Sequence, residues 1–297
     1  MNNDDKIIKF LAYDGKVSIT CAHTSYLVEE ARKIHDLTPT TTAVLGRVLT
    51  MAAIMGSDLK SNSDSITIQI SGNGPAGKIV VVTNNFPKVK GYMQNPKLEL
   101  PTRADGKIDV GGAVGKGGYL NIIKDIGLKE PYVGISPLVS GEIAEDFAKY
   151  FADSEQKPTV LALGVLVNKD GVVASGGYFL TLMPDATEEI IEKLEKNISN
   201  IDSISKMLSD GLNLKEIAIK VTGDENVEMI EENITPKYEC DCSKEKFERG
   251  LISLGKKELA KLIEEDRDVE TVCHFCNKKY VFNKEYIKEI LDEMEEK

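Results

Sequence analysis

Cys240 and Cys242 stand one residue apart, Cys273 and Cys276 two apart, and thirty residues separate the two pairs. Two close thiol pairs brought together by one closed loop can offer four thiolates to a tetrahedral site, and soft sulfur donors suit Zn2+. The same four sulfurs can also leave the metal as two local disulfides. A site open to both outcomes couples oxidant chemistry to folding, because metal-binding energy is folding energy in a small domain. A permanent, redox-silent staple is the competing role, and spacing alone leaves it open. For four-cysteine sites in general that staple is the commoner case, and three details keep the switch open. The Cys-x-Cys half is unusual beside the two-residue spacing of most zinc ribbons, the sulfurs can pair within each half so that the metal leaves without long-range rearrangement, and an acidic segment free of Phe, Tyr and Trp adjoins the unit.

Other reactive residues read more plainly. His274 lies inside the second pair, but four cysteines already fill a tetrahedron, so it is not expected to be a ligand. His23 and His35 are lone histidines in structured segments, with ordinary structural roles. Cys21 falls in a predicted strand and reads as a small buried apolar residue. Gly72-Asn-Gly-Pro-Ala-Gly-Lys78 matches a phosphate-binding G-x-x-x-x-G-K pattern only superficially. Ile79 follows where Ser or Thr would hold Mg2+, and the loop leads into a β-branched run rather than a helix N-terminus. A glycine-rich turn between strands is the better reading, and Gly111-Gly112 with Gly115 to Gly118 reads as another loop. No Ser/His/Asp set, no His-Glu-x-x-His and no distinctive carboxylate pair is visible, which favours a binding protein over an enzyme.

The elements that must position the cysteines belong to a short terminal segment. Over residues 233–297, Lys244 to Ser253, Lys256 to Glu265 and Lys284 to Glu295 read as helices, and the run from Thr271 to Phe282 reads as a knuckle followed by a strand. A unit of 65 residues is small enough for a metal staple to matter to its folding. Residues 185–232 carry 13 acids and 5 bases and read as short amphipathic helices: Ala186 to Asn197, Ile201 to Leu208 and Leu212 to Lys220. Helices this short are marginal alone, so they must lie on something or form a solvated appendage.

Residues 1–184 carry 19 acids and 19 bases and mix strand and helix signals. Strands are predicted over Lys6 to Leu11, Val17 to Cys21, Ser65 to Ile70, Ile79 to Thr83, Tyr119 to Lys124, Thr159 to Val167 and Gly177 to Met183. Helices are predicted over Tyr26 to Leu37, from the Thr38-Pro39 cap to about Ser57, and over Gly141 to Ser154. The second of these is apolar on most sides and so is expected to be buried. Strands and helices do not alternate regularly, so the fold class is α+β: an N-terminal domain (1–184) with a mainly antiparallel sheet and packed helices, an acidic helical linker (185–232) and a small C-terminal zinc-binding domain (233–297).

The bulk numbers agree with a soluble globular chain. At 297 residues, 41% hydrophobic and 29% charged, it has no long apolar run for a membrane span. The N-terminus lacks a signal-peptide core, so a reducing cytoplasm is the expected location, and there clustered cysteines are expected to be metal ligands or redox sensors rather than a permanent disulfide framework. A net charge of −11 argues against nucleic-acid binding.

With these residues in hand, the whole chain closely resembles the 33-kDa redox-regulated heat-shock chaperone family of bacteria. The resemblance rests on the cysteine set, on Ser71-Gly-Asn-Gly-Pro-Ala-Gly77, on Ser140-Gly-Glu-Ile-Ala-Glu-Asp-Phe-Ala, on Ser154-Glu-Gln-Lys-Pro158, and on Gly176-Gly-Tyr-Phe-Leu leading to Met183-Pro184. It implies an ATP-independent holdase that keeps unfolding proteins from aggregating under oxidative stress. In that scheme the reduced form holds one Zn2+ through Cys240, Cys242, Cys273 and Cys276 and is largely inactive. Oxidation joins Cys240 to Cys242 and Cys273 to Cys276, expels the metal, unfolds the terminal unit and loosens the linker. Client-binding surface is then exposed, and the active form is a homodimer. Two rival readings are weaker. A nucleic-acid-binding zinc protein would need a basic patch, yet residues 233–297 carry 16 acids and 13 bases, with Arg249 and Arg267 their only arginines. A thiol–disulfide oxidoreductase would place the first cysteine of its pair at a helix N-terminus, whereas Cys273-x-x-Cys276 precedes a predicted strand.

Overall fold

A computed structural model describes residues 4–85, 87–265 and 267–295, so the first residues of the N-terminal stretch lie outside the described part. The chain divides into two compact units at the Glu239/Cys240 boundary. Residues 185–232, expected as a linker, are grouped with the first unit.

The first unit runs β1 (Lys6–Ala12), β2 (Val17–His23), α1 (Ser25–His35), α2 (Pro39–Gly56), β3 (Ser65–Ser71), β4 (Ile79–Asn84) and β5 (Lys88–Met93). It continues through α3 (Val110–Val114), β6 (Tyr119–Asp125), β7 (Tyr132–Pro137), α4 (Ala144–Ser154), β8 (Thr159–Asn168) and β9 (Gly171–Leu182). Three helices follow, α5 (Glu188–Ile198), α6 (Ile204–Ser209) and α7 (Leu214–Thr222), and then β10 (Glu228–Ile234) and β11 (Lys237–Tyr238). One sheet has the order β10-β1-β2-β9-β8 and the other β11-β5-β4-β3-β6-β7. All pairings are antiparallel except the two-residue β11–β5 pair, so the α+β reading with mainly antiparallel sheets holds.

Helix α2 is the axis of this unit. Thr38 and Thr41 exchange backbone-to-side-chain hydrogen bonds in a capping box, with Pro39 at the first helical position. Its side chains are buried on every side, as an all-round apolar helix must be. Leu45, Leu49, Met51 and Ile54 meet Ile66, Ile68, Ile70, Ile79 and Val81 of one sheet and Ile7, Ala22 and Leu163 of the other in a single core. Arg47 is the polar exception, donating from Nη1 to the Glu142 carbonyl at 2.9 Å and its carboxylate at 2.8 Å.

The five-stranded sheet has a second apolar face. Phe10, Val17, Ile19, Cys21, Tyr178 and Leu180 lie buried beneath Ile190 and Leu194 of α5, Ile204 and Met207 of α6, and Leu214, Ile217 and Val221 of α7. The acidic helices therefore do have a partner. Their apolar stripes cover a sheet while most of their charges face outward.

Several motifs acquire physical reasons. The Asp146 carboxylate is fully buried and accepts hydrogen bonds from the backbone N–H groups of Val139 (2.7 Å), Ser140 (3.1 Å), Gly141 (3.3 Å) and Ile143 (3.0 Å). This cradle holds Ile143 at φ 73°, so α4 starts at Ala144 rather than at Gly141 as predicted. Gly72 and Gly74 let the β3–β4 turn pass against the carbonyls of α3 and the residue after it, where a Cβ would lie 2.3–2.4 Å from backbone. That turn leads into a strand, as the sequence reading required. Gly111 and Gly112 differ from expectation: they lie in α3, whose N-cap Asp109 accepts from the Gly112 N–H at 2.8 Å.

The second unit contains α8 (Lys244–Ser253), α9 (Lys256–Glu264), β12 (Val269–Val272), β13 (Lys279–Phe282) and α10 (Lys284–Glu295). β12 and β13 form an antiparallel pair with Val272 opposite Lys279. Its core is thin: Leu251, Leu259, Tyr280, Phe282, Ile287 and Ile290 are buried, with Phe247, Val269 and Tyr286 packed around them.

Candidate metal centre

Each cysteine pair sits at the end of an element that fixes it. Cys240 and Cys242 lie on the extended chain before α8, whose N-cap Ser243 accepts from the Lys246 N–H. Cys273 follows β12, and Cys276 lies in the turn toward β13. The Cys273 carbonyl accepts from the N–H groups of Cys276 (3.3 Å) and Asn277 (2.8 Å), while the Cys273 N–H donates to the Lys278 carbonyl (2.9 Å). Asn277 takes a left-handed backbone (φ 58°), which Asn tolerates better than most residues. The result is a tight knuckle with two thiols on one turn.

All four sulfurs lie within 4.8 Å of one another. Cys240 Sγ is 3.7 Å from Cys273 Sγ, and Cys242 Sγ is 3.4 Å from Cys276 Sγ, so both close contacts run between the two halves. A tetrahedron with metal–sulfur bonds of about 2.3 Å has edges of about 3.8 Å. The cage is thus of the right size for a four-thiolate zinc site, and its sulfurs are well beyond the roughly 2 Å of a disulfide. His274 is not a member of the cluster.

The thiols are not equivalent. Burial pushes Cys240 up, as do its hydrogen bonds to the other thiols, although the Cys242 N–H opposes this. Burial also raises Cys276 against the Lys278 N–H. At Cys242 burial again acts upward, but hydrogen bonds from Tyr280 and the other three thiols outweigh it and bring the thiol down to about 7. Backbone and phenol donors aimed at sulfur are what an anionic cluster of thiolates requires.

Tyr280 is the functional neighbour that sequence reasoning missed. Its hydroxyl lies 3.2 Å from Cys242 Sγ and 3.0 Å from the Cys242 carbonyl oxygen, and its single proton is shared between them in a three-centre hydrogen bond. The ring, 8% exposed, belongs to the core and packs on Phe247 at 5.0 Å between centroids. Within Lys-Lys-Tyr-Val-Phe it reads as one more strand aromatic. The available signal was that a half-polar aromatic on the face shared with Phe282 must find a partner for its hydroxyl.

The remaining expected residues stand apart. Cys21 is fully buried on β2 in the first unit, and burial alone pushes its thiol far up. His23 Nε2 pairs with Ser25 Oγ at 3.0 Å, and His35 Nε2 with the Tyr238 hydroxyl at 2.9 Å, both structural arrangements. No helix among the described residues is long and apolar enough to cross a membrane.

Comparison with known proteins places this architecture. A family model described as Hsp33 protein matches residues 5–283. The chain is 47% identical over 293 residues to the 33 kDa chaperonin of Thermoanaerobacter sp. (strain X514), covering 98% of this chain and 99% of that protein. It is 46% identical over 290 residues to the 33 kDa chaperonin of Clostridioides difficile (strain 630), with coverage of 98% and 99%. Among solved structures, the 33 kDa chaperonin of Thermotoga maritima superposes with a TM-score of 0.88 at 40% identity, over 98% of this chain and 99% of that one. Matched along nearly its whole length in sequence and in fold, the chain belongs to the Hsp33 family of chaperones.

Proposed function

We propose that this protein is a redox-regulated, ATP-independent holdase, inactive when reduced and zinc-bound and active when oxidised. The observation that carries the reading is the cage of four sulfurs within 4.8 Å, sized for a tetrahedral metal, in a unit with six buried apolar side chains besides Cys273 among its described residues. Zn2+, one per chain, would be held by Cys240, Cys242, Cys273 and Cys276, and when bound it supplies a centre that keeps four thiolates deprotonated and together.

Oxidation acts on the chain's own sulfurs. Each pair of thiolates gives two electrons to one peroxide: an S–S bond forms, the O–O bond breaks and two hydroxide ions leave. The pairing proposed is Cys240 with Cys242 and Cys273 with Cys276, carried from the family resemblance. Side-chain rotation within the cage would suffice for it, since every sulfur is within 4.8 Å of every other. Sulfurs tied in disulfides no longer hold a metal, and a core this thin loses most of what orders it.

The proposed division into a core domain (1–184), a linker (185–232) and a switch domain (233–297) then gains a function. Helices α5 to α7 cover Phe10, Val17, Ile19, Tyr178 and Leu180, and the segment holding them carries 13 acids against 5 bases. Releasing them would uncover a contiguous apolar sheet face, the kind of surface that binds unfolded chains. The clients are unfolded or partly folded proteins, the active form is a homodimer, and the site of action is the reducing cytoplasm.

The test is zinc content and suppression of client aggregation on one preparation, before and after peroxide at elevated temperature. Loss of about one zinc per chain as activity appears, reversed by reductant with zinc, is the expected result. Zinc that stays bound, or leaves without a gain in activity, sinks the switch and leaves a staple.

A further inference from the structure

The Tyr280 hydroxyl ties the cysteine cage to the hydrophobic core of the second unit by a side chain. We propose that Tyr280 is a positioning residue that latches Cys242 into the metal cage and thereby sets both zinc affinity and the ease of oxidative zinc release. The inference rests on the zinc reading of the four-cysteine site and deepens it.

The geometry is specific. Tyr280 lies on β13, four residues beyond Cys276, while its hydroxyl reaches the other half of the site, at Cys242. The phenol therefore bridges the two halves independently of the metal. A three-centre hydrogen bond shared by the sulfur (3.2 Å) and the carbonyl oxygen (3.0 Å) of one residue fixes that residue's backbone and side chain together. The ring itself is held by Phe247 and capped by the Lys278 ammonium 5.2 Å from its centroid. A donor so placed needs no reorganisation when Cys242 ligates, which is how neighbours one step beyond a metal's ligands strengthen its binding.

Two consequences follow. An O–H directed at a thiolate spreads its charge, so Cys242 sulfur becomes a weaker nucleophile toward peroxide while the latch is closed. When Cys242 turns away to bond another sulfur, the hydroxyl loses an acceptor in a nearly buried position, and that loss falls on the core containing Phe247, Leu251 and Phe282. Oxidation at the cage is thus felt by the packing through one side chain.

The test compares wild type and Tyr280→Phe in the full-length protein. Zinc affinity is measured by competition with a chromophoric chelator, zinc release under peroxide is timed, and the thiolate-to-metal charge-transfer bands are recorded after Co2+ replaces Zn2+. Tyr280→Phe should weaken zinc binding by about tenfold or more, speed its release, and shift the charge-transfer bands by removing a donor from a ligating sulfur. Phe247→Leu controls for packing, since it trims the ring against Tyr280 but keeps the hydroxyl: its bands should stay in place. Unchanged affinity and bands in Tyr280→Phe would overturn the latch. So would equal weakening in both variants with no band shift, which would mean that packing alone acts. A wild type that binds no zinc would instead overturn the zinc reading itself.

Discussion

The two units of this protein are held together in different ways. The first wraps two sheets around a helix buried on all sides, with Phe10, Leu45, Leu49, Met51, Ile68, Phe147 and Tyr150 fully enclosed. The second has, among its described residues, three fully enclosed apolar side chains, Leu259, Phe282 and Ile287, and four cysteines whose sulfurs lie close together. A core so small supplies at most about 3–5 kcal/mol, whereas a structural zinc site supplies roughly 10–16 kcal/mol. The comparison teaches that, with a metal in the cage, order in the second unit would hang on four sulfurs, while the core around α2 in the first stands on its own packing.

The largest test of this contrast removes a ligand. In Cys273→Ser, or in wild type stripped by a chelator, α8, α9 and α10 should lose amide protection, because the lost term of about 10 kcal/mol exceeds the remaining core. Strand β3 and helix α2 should keep theirs. Protection persisting in β13 and α9 without metal would erase the difference between the units.

Ile217→Ala strikes the covered sheet face instead. Ile217 is fully buried on α7, so its truncation should cost about 2–5 kcal/mol. Reduced, zinc-loaded protein should then suppress client aggregation several-fold better than wild type, without peroxide. Destabilisation with no gain in activity would mean that this face is not what clients meet.

Asp146→Ala probes a polar feature of the first unit alone. It leaves four buried or half-buried N–H groups short of their acceptor and should cost about 1–3 kcal/mol. The melting temperature of the first unit falls and zinc affinity stays put; a change in zinc affinity would show the units to be energetically coupled.

The smallest effect is one of pH. Burial pushes the Glu155 carboxyl up, but hydrogen bonds from Lys124 and Tyr150, with the charges of Lys124 and Lys157, hold it below its usual 4.5. A carboxylate depressed in the folded state adds stability that is complete above the unfolded value and fades as pH falls through the folded one. Glu155→Gln should therefore cost about 1 kcal/mol at neutral pH, with the gap to wild type closing below pH 4.5. Parallel melting curves for the two proteins down to lower pH would remove this role.

Legibility differed from one element to the next. Strands β1 to β4 were readable because Val and Ile alternate or cluster between turns, and α2 because a Thr-Pro cap precedes an uninterrupted apolar run. Strands β5 and β7 were not read: Lys-Val-Lys-Gly-Tyr-Met and Tyr-Val-Gly-Ile-Ser-Pro are interrupted by glycine, and their sheet neighbours supply what their own propensity lacks. Strand β10 was hidden by its glutamates, which read as solvated; Glu228 and Glu231 in fact sit on an edge strand, where such charges discourage stray pairing. The cysteine quartet was visible because chelation demands close pairs. The partnership of Tyr280 with Cys242 was not, because they stand 38 positions apart and only the fold brings them together.

The order of strands along the chain sets a sequence of events. Helices α5 to α7 lie between β9 and β10, both members of one sheet, so they form a loop with both ends clamped. Beyond β10 comes β11, hydrogen-bonded to β5 of the other sheet, and only then Cys240. Unravelling that travels back from the cysteines must unzip β11 first and β10 second before it reaches the helices. In the switch proposed above, those two strands would act as successive latches with a threshold, so that a brief or partial opening of the small unit would stop short of the sheet face. Only sustained loss of order would reach it, and closing would run in reverse, with β10 re-docking on β1 before the last link to the cysteines is restored.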